Sequence, residues 1–146
     1  MTTARILIVE DEAIVAQNLR ETLVKLGYAV AGMARNGEDA LRLARERRPD
    51  VVLMDIRLAD GLNGVETAER LQGVHRAPIV YVTAFTTDVA LEQAIATCPY
   101  GFLQKPYTDG GLEATIRMTL ERRRLELAAD ETSRRLRERN DALERQ

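Results

Sequence analysis

Five polar residues that are far apart in the sequence could together carry out phosphoryl chemistry. They are Glu10, Asp11, Asp55, Thr83 and Lys105. Carboxylates that lie close together raise each other's pKa unless a cation intervenes, and their hard oxygens are the ligands that Mg²⁺ prefers. An ionised aspartate is a competent nucleophile toward phosphorus, and an ammonium or a hydroxyl group can stabilise the transferring phosphoryl group. These residue types therefore indicate a magnesium-dependent phosphoryl site with Asp55 as the central candidate.

Each of these residues ends or follows a short apolar segment. The segments are ILIVED (6–11), DVVLMD (50–55), PIVYVT (78–83) and GFLQKP (101–106). Aliphatic and β-branched runs of this length, separated by segments with helical periodicity, predict buried parallel strands. In parallel sheets the ligand site lies beyond the carboxyl ends of the strands. We therefore expect the five polar side chains to meet at one edge of a sheet.

The segments between these runs have helical periodicity and give the fold class. Helices are predicted over 12–26, 38–47, 65–71 and 88–96 and from about Asp109 onward, with a further strand over 28–34. Gly27 is expected at the C-cap of the first helix, and Asn36-Gly37 predicts a turn. Five β-α units in alternation predict an α/β fold with a doubly wound, five-stranded parallel sheet.

Composition and charge exclude several classes of protein. The 146 residues are 45% hydrophobic, which is enough for the core of one ordinary domain. No apolar run reaches the ~20 residues of a membrane span, and the N-terminus lacks the layout of a secretory signal. Cys98 is the single cysteine, so no disulfide framework is expected. The net charge of −2 gives no sign of a nucleic-acid partner, and we expect a cytoplasmic protein.

Five short motifs carry a resemblance to a known family. They are VEDE at the first strand, LMDIRL around Asp55, the later Asn63-Gly64 pair, VTA with Thr83, and LQKPY with Lys105. Together they closely resemble the receiver domain of two-component response regulators, over roughly Arg5 to Leu125. The resemblance implies a flavodoxin-like sheet in the strand order 2-1-3-4-5.

The same resemblance implies roles for individual residues. Asp55 would accept a phosphoryl group from a histidine kinase or a phosphotransfer protein, with Mg²⁺ as the cofactor. The implied metal-organising residues are Glu10, Asp11, Asp55 and the backbone carbonyl of Arg57. Thr83 and Lys105 would bind the phosphoryl group, and this makes them the remaining catalytic candidates. Such a domain turns over no external substrate, so it is not expected to be an enzyme.

The resemblance also implies a conformational switch made by Thr83 and Phe102, and a cis peptide bond before Pro106. Alternatives are that Phe102 is only a core residue, or that Tyr100 or Tyr107 is the switch aromatic. The signal would leave through the fourth helix, the fifth strand and the last helix. Arg57 and Phe85 occupy positions that influence the access of water to the phosphoryl group in the family.

The last helix continues past the expected domain. We expect a receiver domain over 1–125 and a helical extension over 126–146, either a coiled coil or linker to a further module, or a frayed tail. One heptad column is Met118, Leu125, Thr132 and Arg139, and the other is Arg122, Ala129, Leu136 and Leu143. Two arginines and a threonine weaken this seam. Expected partners are a second copy through this helix and a C-terminal output or sensor-kinase module, with no nucleic acid and no membrane.

Two other functions remain open at this stage. One is a phosphohydrolase or phosphotransferase that acts on small molecules through an aspartyl-phosphate, as haloacid-dehalogenase-type enzymes do. Those enzymes typically carry a second Asp two residues after the nucleophile, where this chain has Arg57. The other is a coiled-coil interaction module that is not phosphorylated.

Overall fold

The chain folds into a parallel sheet with helices on both faces. In the computed structural model, residues 3–58, 61, 63–84, 89–97 and 99–144 are described. The elements in chain order are β1 Arg5–Val9, α1 Ala13–Lys25, β2 Ala29–Ala34, α2 Gly37–Arg47, β3 Val51–Met54, α3 Gly64–Val74, β4 Ile79–Thr83, α4 Val89–Ala96, β5 Gly101–Gln104 and α5 Asp109–Glu144. The strand order is β2-β1-β3-β4-β5, and every pairing is parallel. The predicted fold class and strand order are confirmed.

The strands are apolar along their whole length because helices cover both faces of the sheet. Along β1, Leu7 and Val9 pack in one core cluster and Ile6 and Ile8 pack in the other. The first cluster lies under α2 and α3, and the second lies under α1 and the beginning of α5. Neighbouring side chains of a strand point to opposite faces, so a fully apolar strand fills both cores. This packing fixes the strand ends, where the polar residues lie.

Asparagine side chains start two of the helices, and this corrects one prediction. Asn36 is the N-cap of α2 and accepts a hydrogen bond from the backbone N–H of Asp39 at 2.8 Å, so Asn36-Gly37 begins a helix and is not a separate turn. Asn63 caps α3 in the same way, with Glu66 as the donor at 2.8 Å. An Asn oxygen is well placed to satisfy the free N–H groups of a first helical turn.

The ends of α1 and α3 differ slightly from the predicted bounds. Gly27 has φ +95 directly after the C-cap residue Leu26, as predicted for a glycine at the end of a helix. The Tyr28 N–H still bonds to the Leu23 carbonyl at 2.9 Å, so β2 begins one residue later than predicted. Helix α3 continues to Val74, where the His75 N–H closes the last turn on the Leu71 carbonyl.

Helix α5 packs on the sheet only in its first part. Leu112 and Ile116 are completely buried, whereas every described side chain from residue 127 to residue 143 is exposed. The helix is continuous through residues 125 and 126, and the domain boundary predicted there stays a prediction. None of the described helices is both long enough and apolar enough to cross a membrane. The predictions that concern Phe85 and Cys98 lie outside the described residues.

Candidate functional site

The sheet brings the predicted polar residues to its carboxyl edge through hydrogen bonds just beyond the strands. The Glu10 N–H donates to the Ala34 carbonyl at 3.0 Å, and the Asp55 N–H donates to the Val9 carbonyl at 3.0 Å. The Lys105 N–H donates to the Thr83 carbonyl at 2.8 Å. Each of these three residues directly follows the last residue of a strand, so the regular ladder determines where its side chain starts.

Three carboxylates form a compact cluster at this edge. One oxygen each of Glu10, Asp11 and Asp55 lies within 4.8 Å of the other two. Glu10 is buried, with 4% of its surface exposed, and the Asp55 side chain is 12% exposed. Three acids at such short distances repel one another unless a cation or a proton compensates them. The predicted acidic site is therefore present in the fold.

Lys105 supplies one compensating charge. Its Nζ lies 3.1 Å from Glu10 Oε2 and 3.5 Å from Asp55 Oδ2. The lysine side chain is 25% exposed, so these pairs are shielded from water more than ordinary surface ion pairs. The last strand thus delivers a cation to the two acids that follow the first and third strands, as the sequence predicted.

Burial and charge shift the protonation of this cluster. Burial, and then the neighbouring charge of Asp55, raise the pKa of Glu10 to about 7, although Lys105 acts in the opposite direction. Burial by itself lowers the pKa of Lys105, but the charges of Asp55 and Glu10 outweigh it, and the net shift is upward. In the metal-free chain, Glu10 therefore titrates near neutral pH, whereas Lys105 beside it stays protonated.

Backbone N–H groups of described residues after β3 make hydrogen bonds beside Asp55. The Arg57 N–H donates to Asp55 Oδ1 at 3.0 Å, which orients the carboxylate. The Gly64 N–H donates to the Ile56 carbonyl at 2.9 Å and closes the loop. A Cβ atom at Gly64 would lie 2.1 Å from the Asp55 carbonyl oxygen. The sequence motif included this glycine, but its steric role beside Asp55 is visible only in the structure.

The two predicted switch residues lie on adjacent strands. Thr83 is the last residue of β4 and is buried, with 2% exposure. Phe102 is 38% exposed, and its ring centroid lies 5.5 Å from that of Tyr81. The alternative that Phe102 is only a core side chain is therefore wrong. The two alternative switch aromatics have other contacts.

The two alternative switch aromatics are Tyr100 and Tyr107. Tyr100 contacts Arg122 and Glu126 of α5, whereas Tyr107 packs against the core cluster under α1 and α5. The peptide bond between Lys105 and Pro106 is cis, as the family resemblance implied.

The family model of the response regulator receiver domain matches residues 6–117, and the chain belongs to this family. Among curated relatives, the transcriptional regulatory protein PdtaR of Mycobacterium tuberculosis is 34% identical over 118 residues, which cover 81% of this chain and 57% of PdtaR. The chemotaxis protein CheY of Thermotoga maritima is 33% identical over 104 residues, which cover 70% of this chain and 86% of CheY.

Solved receiver domains have the same fold. The signal receiver domain of a modulated diguanylate cyclase from Desulfovibrio desulfuricans G20 is 39% identical with a TM-score of 0.81, and the match covers 86% of this chain and 99% of that one. The receiver domain of the sensor histidine kinase PA1611 from Pseudomonas aeruginosa PAO1 is 27% identical with a TM-score of 0.75, and the match covers 82% of this chain and 99% of that one. In that structure a magnesium ion is coordinated in the active site cleft.

The match to several curated relatives covers only part of their length. The chain spans about half the length of the first ones, with 57% of PdtaR, 51% of AfsQ1 of Streptomyces coelicolor and 43% of PhyR of Methylorubrum extorquens. The shared segment is the receiver domain, so the activities of those whole proteins do not follow for this chain.

Proposed function

We propose that this chain is a phosphoacceptor domain that takes a phosphoryl group onto Asp55 from a phosphohistidine of a histidine kinase or phosphotransfer protein. The observation that carries the proposal is the convergence of Glu10, Asp11, Asp55 and Lys105 at one edge of the sheet. Such a protein is a cytoplasmic signalling component and modifies only itself. It releases no product from an external substrate.

The donor set of the cluster fits Mg²⁺. Three carboxylates supply only oxygen ligands, which suit a hard cation that keeps several of its waters. Glu10, Asp11 and Asp55 would hold the ion together with the Arg57 carbonyl, the ligand implied by family membership. When bound, Mg²⁺ neutralises charge on the phosphoryl oxygens and lowers the repulsion between Asp55 and an anionic donor.

The transfer step uses few protein groups. A carboxylate oxygen of Asp55 attacks phosphorus, the P–N bond to the donor histidine breaks, and the imidazole leaves with its electron pair and takes up a proton. Lys105 already lies 3.5 Å from Asp55 and is positioned to stabilise the added negative charge. The Thr83 hydroxyl, at the end of the neighbouring strand, would donate a hydrogen bond to a phosphoryl oxygen.

Phosphorylation would then change the face formed by α4, β5 and α5. Movement of Thr83 toward the phosphoryl group leaves room into which the exposed ring of Phe102 turns, so that two arrangements of this face are biased by the modification. Helix α5 would carry the change to a second copy of the chain and to an output or sensor-kinase module. The long exposed part of α5 supports this route.

Beryllofluoride with Mg²⁺, or acetyl phosphate with Mg²⁺, tests the phosphoacceptor role. We expect wild type to bind beryllofluoride, measured by ¹⁹F NMR, and to gain one phosphoryl group by mass spectrometry, whereas Asp55→Asn does neither. Asp50→Asn is the matched control, because Asp50 flanks the opposite end of the same strand and its side chain accepts a hydrogen bond from the Arg5 N–H. Equal responses of wild type and Asp55→Asn, or many turnovers of p-nitrophenyl phosphate, would contradict the proposal.

A further inference from the structure

Helix α5 exposes large apolar side chains on the face that points away from the sheet. Met118, Leu125, Leu136 and Leu143 are 72%, 53%, 57% and 64% exposed. Leu125 follows the buried Ile116 by nine residues, which places it roughly 180° around the helix at about 100° per residue. The apolar stripe and the buried face of the same helix therefore lie on opposite sides, and a partner can approach the stripe without meeting the sheet.

The stripe has heptad spacing and begins directly after the segment that matches the receiver family. We define the outer seam as Met118, Arg122, Leu125, Ala129, Thr132, Leu136, Arg139 and Leu143. At ~1.5 Å per residue it is about 38 Å long. From the sequence alone, Arg122 is expected to place a positive charge in this seam. Its contacts in the structure change that interpretation.

Two side chains, Tyr100 and Glu126, hold Arg122 to one side of the helix. Its guanidinium lies 4.6 Å from the centroid of the Tyr100 ring, and its Nε donates to Glu126 Oε1 at 3.1 Å. The Tyr100 hydroxyl donates to the other carboxylate oxygen of Glu126. We call Tyr100, Arg122 and Glu126 the Tyr100 clamp. Because Tyr100 belongs to the segment just before β5, this contact places the guanidinium on the domain side of the seam, while 57% of the Arg122 side chain stays exposed.

We propose that a second copy of this chain packs along the outer seam, and that the Tyr100 clamp permits this pairing by keeping the Arg122 charge out of it. This inference rests on the pairing part of the proposed function and assigns its contacts. Tyr100 then lies outside the interface and affects it only through the position of Arg122. Arg139 lies near the far end of the seam, where its aliphatic stem can cover apolar surface while the guanidinium reaches water.

The charges beside the seam favour a second copy over a different charged partner. Glu121 pairs with Arg124 at 2.6 Å, and Arg135 pairs with Glu131 at 2.6 Å, so these charges are already compensated within one helix. Glu126, which also flanks the seam, pairs with Arg122 at 3.1 Å, and the other flanking positions are small or uncharged: Thr119, Ala128, Ser133, Asn140 and Ala142. Within the described part of α5, the seam flanks thus present no uncompensated stripe of one sign that would select an acidic or basic partner. Two copies related by a two-fold axis present the same apolar seam to each other, so their pairing does not require charges of opposite sign.

Two leucines of similar exposure provide a sharp test of the surface. Leu125 lies in the seam, whereas Leu127, 51% exposed, lies on the side of the helix that faces the domain. Sedimentation equilibrium on the full chain should give a dimer that Leu125→Ala or Leu136→Ala weakens by about tenfold, the effect of one anchoring side chain. Leu127→Ala should leave the dissociation constant unchanged. A monomeric wild type, a trimer, or equal effects at Leu125 and Leu127 would overturn the pairing.

The clamp has its own test. Tyr100→Ala should weaken the dimer about as much as a seam substitution, because Arg122 is released into the interface, and adding Arg122→Leu should reverse that loss. Arg134→Ala is the matched control, since Arg134 follows the buried Ile116 by five full helical turns and therefore lies on the side of α5 opposite to the seam. A dimer that Tyr100→Ala leaves unchanged, or a weakening that Arg122→Leu does not reverse, would overturn the clamp while leaving the seam intact.

These measurements use the unphosphorylated chain, and each variant is first checked for wild-type helix content by circular dichroism. A chain that dimerises through the seam but does not bind beryllofluoride at Asp55 would contradict only the phosphoacceptor role. A chain that binds beryllofluoride but stays monomeric would contradict only the pairing. The two failures are therefore distinguishable.

Discussion

The ammonium of Lys105 lies 3.1 Å from the Glu10 carboxylate, although 95 residues separate them in the chain. Both residues directly follow strands, but β3 and β4 lie between β1 and β5, so the long lysine side chain spans the remaining distance. The same ammonium lies 3.5 Å from Asp55. A lysine delivered by β5 thus holds together two acids that would otherwise repel each other. We therefore expect the stability of the metal-free fold to depend on this arrangement.

The protonation of Glu10 makes the stability of the metal-free chain depend on pH. Burial and the charge of Asp55 raise its pKa from 4.5 to about 7 on folding, so between these values the folded chain binds more protons than the unfolded one. The free energy of unfolding should therefore fall as pH rises through this window, by on the order of 1–3 kcal/mol from this group. Urea unfolding at several pH values measures the slope.

Glu10→Gln should flatten that slope, because the amide does not titrate. Glu46→Gln is the control, since Glu46 is an exposed acid that pairs with a surface arginine, and it should keep the wild-type slope. Identical slopes in wild type and Glu10→Gln would show that the pH dependence comes from another group.

Removal of the Lys105 charge should destabilise the metal-free chain. Lys105→Met leaves Glu10 and Asp55 without their cation, and we expect a loss of about 1–3 kcal/mol above neutral pH, part of which added Mg²⁺ recovers. Lys25→Met is a matched control, because Lys25 is 75% exposed and pairs with an exposed aspartate, an arrangement worth ~0–1 kcal/mol. Similar losses in the two variants would contradict a special role for Lys105.

Much of the fold and of the acidic site could be predicted from the sequence. Asp55 and Lys105 follow short apolar runs, and the geometry of a parallel sheet brings the ends of such runs to one edge. The prediction was less accurate where one residue pair has two uses. Asn36-Gly37 is compatible with a turn or with the start of a helix, and the hydrogen bond to Asp39 in the structure decides for the helix.

Other features depend on tertiary neighbours that no local pattern encodes. Phe102 is partly exposed because β5 is an edge strand, and a short run such as GFLQ does not reveal whether its outer side is covered. The contacts of Tyr100 with Arg122 and Glu126 depend on the path of α5 past the beginning of β5. Helical periodicity locates these residues on α5 but does not identify what lies beside them.

Two glycines of α3 should respond oppositely to the same substitution. A Cβ at Gly64 would lie 2.1 Å from the Asp55 carbonyl oxygen, so Gly64→Ala must displace the backbone beside Asp55. We expect a loss of at least about 3 kcal/mol in the free energy of unfolding, together with weaker beryllofluoride binding. Gly73→Ala meets nothing within 4 Å and should be neutral or stabilise the helix by up to ~1 kcal/mol. Equal urea midpoints would contradict the steric argument.

The exposure of Phe102 gives a direct optical test of the switch. The chain contains no tryptophan, so Phe102→Trp introduces a single tryptophan, excited selectively at about 295 nm, at a position that is 38% exposed. If phosphorylation turns this ring inward, beryllofluoride with Mg²⁺ should shift the emission to shorter wavelengths, because the indole leaves water. The shift should disappear when Asp55→Asn is added.

Tyr28→Trp is the positional control for this measurement, because Tyr28 is half-buried and precedes β2 at the opposite edge of the sheet. Its emission should not respond. A Phe102→Trp chain that binds beryllofluoride by ¹⁹F NMR but keeps its emission unchanged would separate phosphorylation from movement of this ring.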